Sequence, residues 1–132
     1  MRLLDTTLLV DFMRRKPEAR RVVRAMEEAG ERKATTEVNA FELAEGAFPE
    51  GRLDRAKFAH VQQMLGRLDV LVLDRAGALR AAEIAARLRS DGRSVGVLDI
   101  LVAGIALASG FDTIVTRDDD FRTIPGLRVE SY

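Results

Sequence analysis

Short apolar runs alternate along this chain with longer segments in which apolar residues recur at helical spacing. The runs cover residues 2–5, 33–36, 70–73, 113–116 and 127–130. An order of strand, helix and strand indicates a mainly parallel sheet with helices on both faces. We therefore expect a three-layer α/β/α fold, with a central sheet of about five strands, in a single domain over residues 1–132.

Start and stop residues help to delimit the helices. Pro17 favours the first turn of a second helix, and Gly30 favours its end. One face of a later helix is formed by Ala81, Ile84, Ala85 and Leu88, and the run SDGRS ends that helix. The other predicted helices cover residues 6–15, 37–47, 53–66 and 97–109, with a short helix near 119–122.

The chain lacks residues that many catalytic and metal sites use. It has no cysteine and a single histidine, His60. Disulfides, thiolate sites, multi-histidine zinc sites and the usual nucleophilic triads are therefore excluded. We expect His60 to be structural. If the protein is an enzyme, its reagents are carboxylates.

Charge gives a weaker indication of a partner. The net charge is zero, so the chain as a whole has no signature of a nucleic-acid-binding protein. All but three of its 21 basic residues are arginines, which suit bidentate phosphate contacts, although genome composition can have the same effect. A metal ion that neutralised four acids would leave the remaining surface mildly cationic.

No segment is suited to a membrane. Asp5 and Asp11 interrupt the N-terminal apolar stretch. The apolar run at 97–108 carries Asp99 and is too short to span a bilayer. We expect a cytoplasmic protein with no membrane partner.

Acidic residues follow two of the predicted strands. Asp5 ends the first strand, and Asp118 lies two residues beyond Thr116. Ligands of open α/β sheets bind at the carboxyl ends of the strands, so parallel strands would bring both carboxylates to one edge. Each acid has an ordinary alternative. Asp5 could equally cap the next helix, and the run DDD at 118–120 could open a short helix.

Two further acids lie within apolar segments of predicted helices. Asp99 is surrounded by valine, leucine and isoleucine. A carboxylate on a buried helix is costly unless it is paired or bound to a metal. A salt bridge and an exposed first turn are the alternatives, but we favour a ligand. Glu42 lies between Phe41 and Leu43, near the apolar face of its helix, although a helical glutamate is usually just solvated.

Four carboxylates that converge on one edge would repel one another strongly without a cation. Mg²⁺ and Mn²⁺ prefer oxygen ligands and are held by a few carboxylates, water and substrate phosphate. Such ions activate water and stabilise the charge of a displacement at phosphorus. Our candidate metal ligands and catalytic residues are Asp5, Glu42, Asp99 and Asp118.

The same four residues lie in motifs that resemble those of PIN-domain ribonucleases, especially the toxins of VapBC-type toxin–antitoxin pairs. The motifs are LLDTTLLVDF with Asp5, TTEVNAFELAEG with Glu42, GRSVGVLDILVAGIALASG with Asp99 and IVTRDDDF with Asp118. The ending IPGLRVESY is also similar, so the resemblance covers essentially the whole chain. Each motif alone is weak, but four in this order are quite specific.

An outer layer and one departure accompany these motifs. We expect Thr6, Thr116 and Asp120 to lie around the four ligands, with Asp120 either an outer ligand or only a helix cap. Many relatives have serine or threonine three residues before the second acid, where this chain has Asn39. An amide can still hydrogen-bond, so we expect the metal site to be little affected.

The resemblance implies a PIN-like fold, a homodimer, an Mg²⁺ or Mn²⁺ cofactor and endonucleolytic cleavage of structured RNA. It further implies a small antitoxin protein whose tail blocks the site. Two alternatives stay within the family. One is a housekeeping RNA-processing nuclease. The other is a non-catalytic module that binds RNA or protein, and the four retained acids argue against it.

Two other families also place acids at strand ends. A phospho-receiver domain needs a lysine after a late strand, but Lys16, Lys33 and Lys57 lie too early. A haloacid-dehalogenase-type phosphatase needs a second aspartate two residues after the first, where this chain has Thr7. Both are therefore disfavoured.

Overall fold

The computed structural model describes all 132 residues as five β-strands, six α-helices and two short 3₁₀ turns. The strands are β1 (Arg2–Leu4), β2 (Ala34–Thr36), β3 (Asp69–Leu71), β4 (Thr113–Val115) and β5 (Arg128–Glu130). The helices are α1 (Thr6–Met13), α2 (Pro17–Glu28), α3 (Glu37–Glu45), α4 (Arg55–Gly66), α5 (Arg75–Ser90) and α6 (Val97–Ala108). The 3₁₀ turns cover Pro49–Gly51 and Asp119–Thr123. No helix combines the length and the apolar character that crossing a membrane requires.

The five strands form one parallel sheet in the order β3-β2-β1-β4-β5, which confirms the predicted fold class. The chain builds the sheet outward from β1 in one direction and then returns to add β4 and β5 on the other side. Open α/β sheets bind ligands at such a switch in direction. Leu4 pairs with Val115 across β1 and β4, so the residues that follow these strands leave the sheet side by side.

Successive residues of the two central strands point to opposite faces of the sheet. Leu3 and Ile114 belong to an apolar cluster with residues of α5 and α6. Leu4 and Val115 belong to a second cluster with residues of α1, α2 and α4. Helices therefore cover both faces, as predicted, and these four side chains are fully buried between the layers.

Most predicted elements are slightly shorter in the structure, and three of them end two residues earlier than predicted. β3 ends at Leu71 rather than at residue 73, because it is an edge strand and the side chains of Val72 and Leu73 are exposed beyond it. α3 ends at Glu45 rather than at residue 47. α1 ends at Met13 rather than at residue 15, because Arg15 adopts the left-handed conformation with φ of 60°.

Candidate active site

Asp5 occupies the N-cap position of α1, but its side chain caps no helix. The residue is only 4% exposed. Its Oδ2 accepts a hydrogen bond from Thr116 Oγ1 at 2.6 Å, and its Oδ1 accepts one from Asn39 Nδ2 at 3.1 Å. Burial raises the pKa of Asp5, and the hydrogen bond from Thr116 offsets part of that rise. The helix-cap alternative is therefore not what this carboxylate does.

Asn39 links Asp5 to the start of α3. Its Oδ1 accepts hydrogen bonds from the backbone N–H and the hydroxyl of Thr36, at 3.2 and 2.7 Å. Its Nδ2 donates to Asp5 and, at 2.9 Å, to Thr6 Oγ1. The asparagine at this position therefore donates a hydrogen bond to the first acid.

Glu42 lies one turn further along α3, at the boundary between the core and the surface. It is half-buried, between an exposed Phe41 and a buried Leu43. Thr6 Oγ1 donates a 2.8 Å hydrogen bond to its Oε1. Burial raises the pKa of the Glu42 carboxyl, and the Thr6 hydrogen bond opposes that effect. Glu42 is therefore held in place rather than freely solvated.

Asp99 lies in the first turn of α6, where the helix is only partly buried. The preceding Val97 is 66% exposed, and the buried residues of α6 begin at Val102. The expectation of a helix buried on all sides is thus wrong for this turn. Asp99 takes part in no salt bridge. Burial, and then the negative charges of Asp118 and Asp5, raise its pKa to about 7.

The acidic run after β4 contributes two carboxylates to the same place. One oxygen each from Asp99, Asp118 and Asp120 lie within 4.8 Å of one another. The Asp118 Oδ1 also accepts the backbone N–H of Asp120 at 2.9 Å, so Asp118 is both a cap and a member of the cluster. Asp119 pairs with Arg122, and its side chain is 86% exposed. Asp120, which we expected in an outer layer or as a helix cap, therefore contributes a carboxylate oxygen to this cluster.

Two threonines join the ends of β1 and β4. Thr116 Oγ1 donates to Asp5 and accepts the backbone N–H of Asp118 at 2.9 Å. Thr7 Oγ1 lies 3.1 Å from Thr116 Oγ1 and accepts the backbone N–H of Arg117. Sequence reasoning missed Thr7 as a site residue. Its only local signal was its position two residues after Asp5.

The negative charge at this edge has no positive partner within the protein. None of Asp5, Glu42, Asp99 or Asp118 forms an ion pair with a lysine or arginine, although other acids of the chain do. Carboxylate oxygens are the ligands that Mg²⁺ and Mn²⁺ prefer. The donor set and its uncompensated charge therefore fit a hard divalent cation.

Comparison with known proteins gives consistent matches along the chain. The sequence profile of the PIN domain matches residues 2–127. The chain is 28% identical over 130 residues to the tRNA(fMet)-specific endonuclease VapC of Shigella flexneri, covering 98% of this chain and 96% of that protein. The structure of DNA-bound VapBC from Salmonella typhimurium matches at 30% identity with a TM-score of 0.84, covering 98% and 96%. VapBC2 from Rickettsia felis, bound to promoter DNA, has the same fold at 20% identity, with a TM-score of 0.87 and coverage of 99% and 98%.

Proposed function

Because the chain belongs to the PIN-domain family, we propose that it is a VapC-type endoribonuclease that hydrolyses RNA phosphodiester bonds. The observation that carries this proposal is the convergence of carboxylates without a positive partner beside the switch point of the sheet. Such a cluster repels the phosphates of RNA unless a cation is bound. The arrangement is therefore suited to a nuclease that acts only with its metal ion.

We propose that Asp5, Glu42, Asp99 and Asp118 hold Mg²⁺ or Mn²⁺, with Asp120 beside them. When bound, such an ion activates water and stabilises the charge that develops on the phosphate. The protein's own contribution is to fix the ligands. Thr116 and Asn39 orient Asp5, and Thr6 orients Glu42.

For the substrate, we propose a structured RNA of the tRNA class. A curated relative that matches nearly the full length of this chain is named as a tRNA-specific endonuclease. The alternative of a housekeeping RNA-processing nuclease would use the same site on a different RNA. Comparison of cleavage products from tRNA and from other cellular RNAs separates the two.

We also propose that the chain is the toxin of a toxin–antitoxin pair and that a small antitoxin protein binds it. The similar structures from Salmonella typhimurium and Rickettsia felis are both VapBC proteins bound to DNA. Because the site is acidic, the chemistry that would block it is cationic, and a guanidinium fits carboxylates better than an ammonium does.

A homodimer is the last part of the proposal. Phe41 of α3, Val97 of α6, and Val72 and Leu73 after β3 are large apolar side chains that are exposed on neighbouring elements. Exposed apolar groups on adjoining elements are suited to an interface between protein chains. Sedimentation of the purified chain measures its oligomeric state.

The proposed activity is tested by a matched pair of neighbouring variants. Asp118→Asn keeps an oxygen that can accept the N–H of Asp120 but removes the charge. It should lower cleavage of bacterial tRNA at least tenfold, or more than about 1.4 kcal/mol in the barrier. Asp119→Asn should cleave like the unaltered chain, because Asp119 points into solvent and pairs only with Arg122.

The assay compares Mg²⁺, Mn²⁺ and EDTA with each of these proteins. Cleavage should require one of the two ions and should stop when the chelator is added. Equal losses in Asp118→Asn and Asp119→Asn would show that the acidic run is only a helix start. Cleavage that is absent with both metals, or unaffected by EDTA, would refute the hydrolase assignment.

A further inference from the structure

Two open grooves lie on the α1, α2 and α4 side of the protein, and one of them reaches the carboxylate of Glu42. The first has a volume of about 260 Å³ and contains Glu42 in its wall, together with Arg14 and Lys57. The second has a volume of about 640 Å³, and its wall includes three arginines, Arg15, Arg20 and Arg67. Met13 and His60 line both grooves, so the two grooves adjoin at these side chains. We call the combined surface, with its cations Arg14, Arg15, Arg20, Lys57 and Arg67, the cationic trough.

The positive charges of the trough are largely uncompensated. Arg14, Arg15, Arg20 and Lys57 form no salt bridge, and Arg67 has only Glu27 at 3.5 Å. Glu42 is the only acidic residue that lines either groove. Since the net charge of the chain is zero, this is a local excess of positive charge on a neutral molecule. Positive charges gathered on a concave surface attract a polyanion.

Arg15 supplies a second, independent observation. It has φ of 60° just after α1, in the position where helices usually place glycine or asparagine. Its backbone N–H reaches the carbonyl of Phe12, and the N–H of Lys16 reaches the carbonyl of Asp11, so the turn needs only a backbone. An arginine is less favourable than glycine in this conformation. The fold therefore does not account for the side chain, which lines the trough.

We propose that the cationic trough binds the sugar–phosphate backbone of the RNA on one side of the bond to be cut. This inference rests on the proposed function, because it supplies the path of the substrate to that same site. Arginine forks suit phosphate oxygens, while Phe12, Met13 and His60 offer surfaces on which bases can pack. An acidic protein segment could also meet these cations. The position of Glu42 in the wall that also carries Arg14 and Lys57 favours RNA, because the strand next to the cut must cross a surface adjoining the site.

The test measures binding separately from cleavage. Fluorescently labelled bacterial tRNA is titrated with the chain in an Asp118→Asn background, which leaves the RNA intact, and anisotropy is followed from about 50 to 200 mM salt. Arg20→Gln and Lys57→Gln should each weaken binding and lower the slope of log Kd against log salt by about 0.7 to 0.9. The matched control is Arg89→Gln, since Arg89 is an exposed, unpaired arginine on α5, on the opposite face of the sheet.

Arg15→Gly separates RNA binding from folding. It should weaken tRNA binding in the same way, while the melting temperature stays equal or rises because the left-handed turn suits glycine. In the cleavage-competent chain, Arg20→Gln and Lys57→Gln should raise KM and leave kcat unchanged. If Arg20 and Lys57 only supported the fold, their variants would lower the melting temperature and would not raise KM while leaving kcat unchanged.

Several results would overturn the proposal. Trough variants that bind tRNA as tightly as Arg89→Gln would do so, and so would an Asp118→Asn chain that does not bind tRNA at all. Variants that lose affinity for a co-expressed partner protein but keep their tRNA affinity would assign the trough to that protein. If the trough variants weaken binding while the unaltered chain cleaves no RNA, the nuclease assignment fails and the RNA-binding surface stands.

Discussion

Asn39 shows how one side chain both starts a helix and holds a candidate ligand. Its carbonyl oxygen accepts two hydrogen bonds from Thr36 at the start of α3. Its two amide hydrogens go to Asp5 and Thr6. An asparagine side chain can donate twice and accept twice, so this one uses its full capacity. A serine or threonine has a single proton and could not donate to Asp5 and Thr6 at once.

Asp99 is the residue at which folding and cation binding conflict. Burial and the charges of Asp118 and Asp5 raise its pKa from 3.8 to about 7. The folded chain therefore ionises Asp99 later than the unfolded chain does. The stability linked to this group is fully present below the unfolded pKa and is lost as the pH rises through about 7. Without a metal ion, the folded protein should therefore be more stable when the charge of Asp99 is removed.

We therefore expect Asp99→Asn to raise the melting temperature in EDTA near neutral and higher pH. The gain should be about 1 kcal/mol once solvent screening is allowed for, or roughly 3–5 °C for a chain of this size. Below the unfolded pKa the difference should vanish. Differential scanning fluorimetry across this pH range measures it, with Asp119→Asn as the exposed control.

Addition of Mg²⁺ should give the unaltered chain a higher melting temperature than Asp99→Asn, which reverses their order in EDTA. A cation that binds only the folded state stabilises the unaltered chain, and Asp99→Asn should gain less from it. If Asp99→Asn melts well below the unaltered chain in EDTA at every pH, the Asp99 carboxyl has a structural role in the fold.

Sequence reasoning at the residue scale identified Asp99 and Asp118, whose carboxylates lie together with that of Asp120, but it missed Thr7. Asp5, Glu42, Asp99 and Asp118 stand out because a carboxylate beside apolar residues is unusual, and because they fall in recognisable motifs. Thr7 has no such signal. Its hydroxyl contacts Thr116 and Arg117 only after β1 and β4 pair across more than 100 residues of chain.

At the scale of elements, the packing of α6 against α5 depends on Gly104 of α6. A Cβ there would lie 2.7 Å from the Ala81 Cβ and 2.7 Å from the Gly77 carbonyl oxygen, both on α5. No rotamer change can relieve a contact with backbone. α5 and α6 would have to separate, and α6 carries Asp99.

We expect Gly104→Ala to lower the free energy of unfolding by about 1–3 kcal/mol through overpacking. Gly66→Ala is the control, because nothing lies within 4 Å of a Cβ at the end of α4. It should be neutral or stabilising by up to about 1 kcal/mol. Urea denaturation of both variants measures the difference. A Gly104→Ala variant as stable as Gly66→Ala would show that α5 and α6 adjust without cost.

Element boundaries were predictable only where a local signal sets them. Pro17 opens α2 and Gly30 follows its end, as predicted, because both act through backbone geometry. The end of β3 was predicted two residues too late, since Val72 and Leu73 are apolar but have no neighbouring strand beyond the edge. The length of an edge strand depends on tertiary pairing, which local composition does not contain.

At the scale of the whole molecule, two properties arise only from assembly. The alternation of strands and helices predicted the parallel sheet, but not that β4 would return to pair with β1 and place Asp118 next to Asp5. Likewise, a net charge of zero gave no signature of a nucleic-acid partner. The packing of α1, α2 and α4 nevertheless collects largely unpaired cations in two adjoining grooves, one of which contains Glu42.

The proposed biological role leads to a prediction for growing cells. An unrestrained RNA hydrolase should stop growth, so induction of this chain alone should arrest a bacterial culture. Asp5→Ala should relieve the arrest, because Asp5 is the buried carboxylate to which Thr116 and Asn39 are aimed, whereas Asp119→Ala should not. Co-expression of the protein encoded next to this chain should also relieve it, through an arginine-bearing segment that pairs with the carboxylates. Colony counts at matched expression measure these effects.

Growth that continues with the active chain would favour a housekeeping nuclease. Arrest that persists in Asp5→Ala would show that the harm does not come from RNA cleavage, since the same protein level would then act without a complete site.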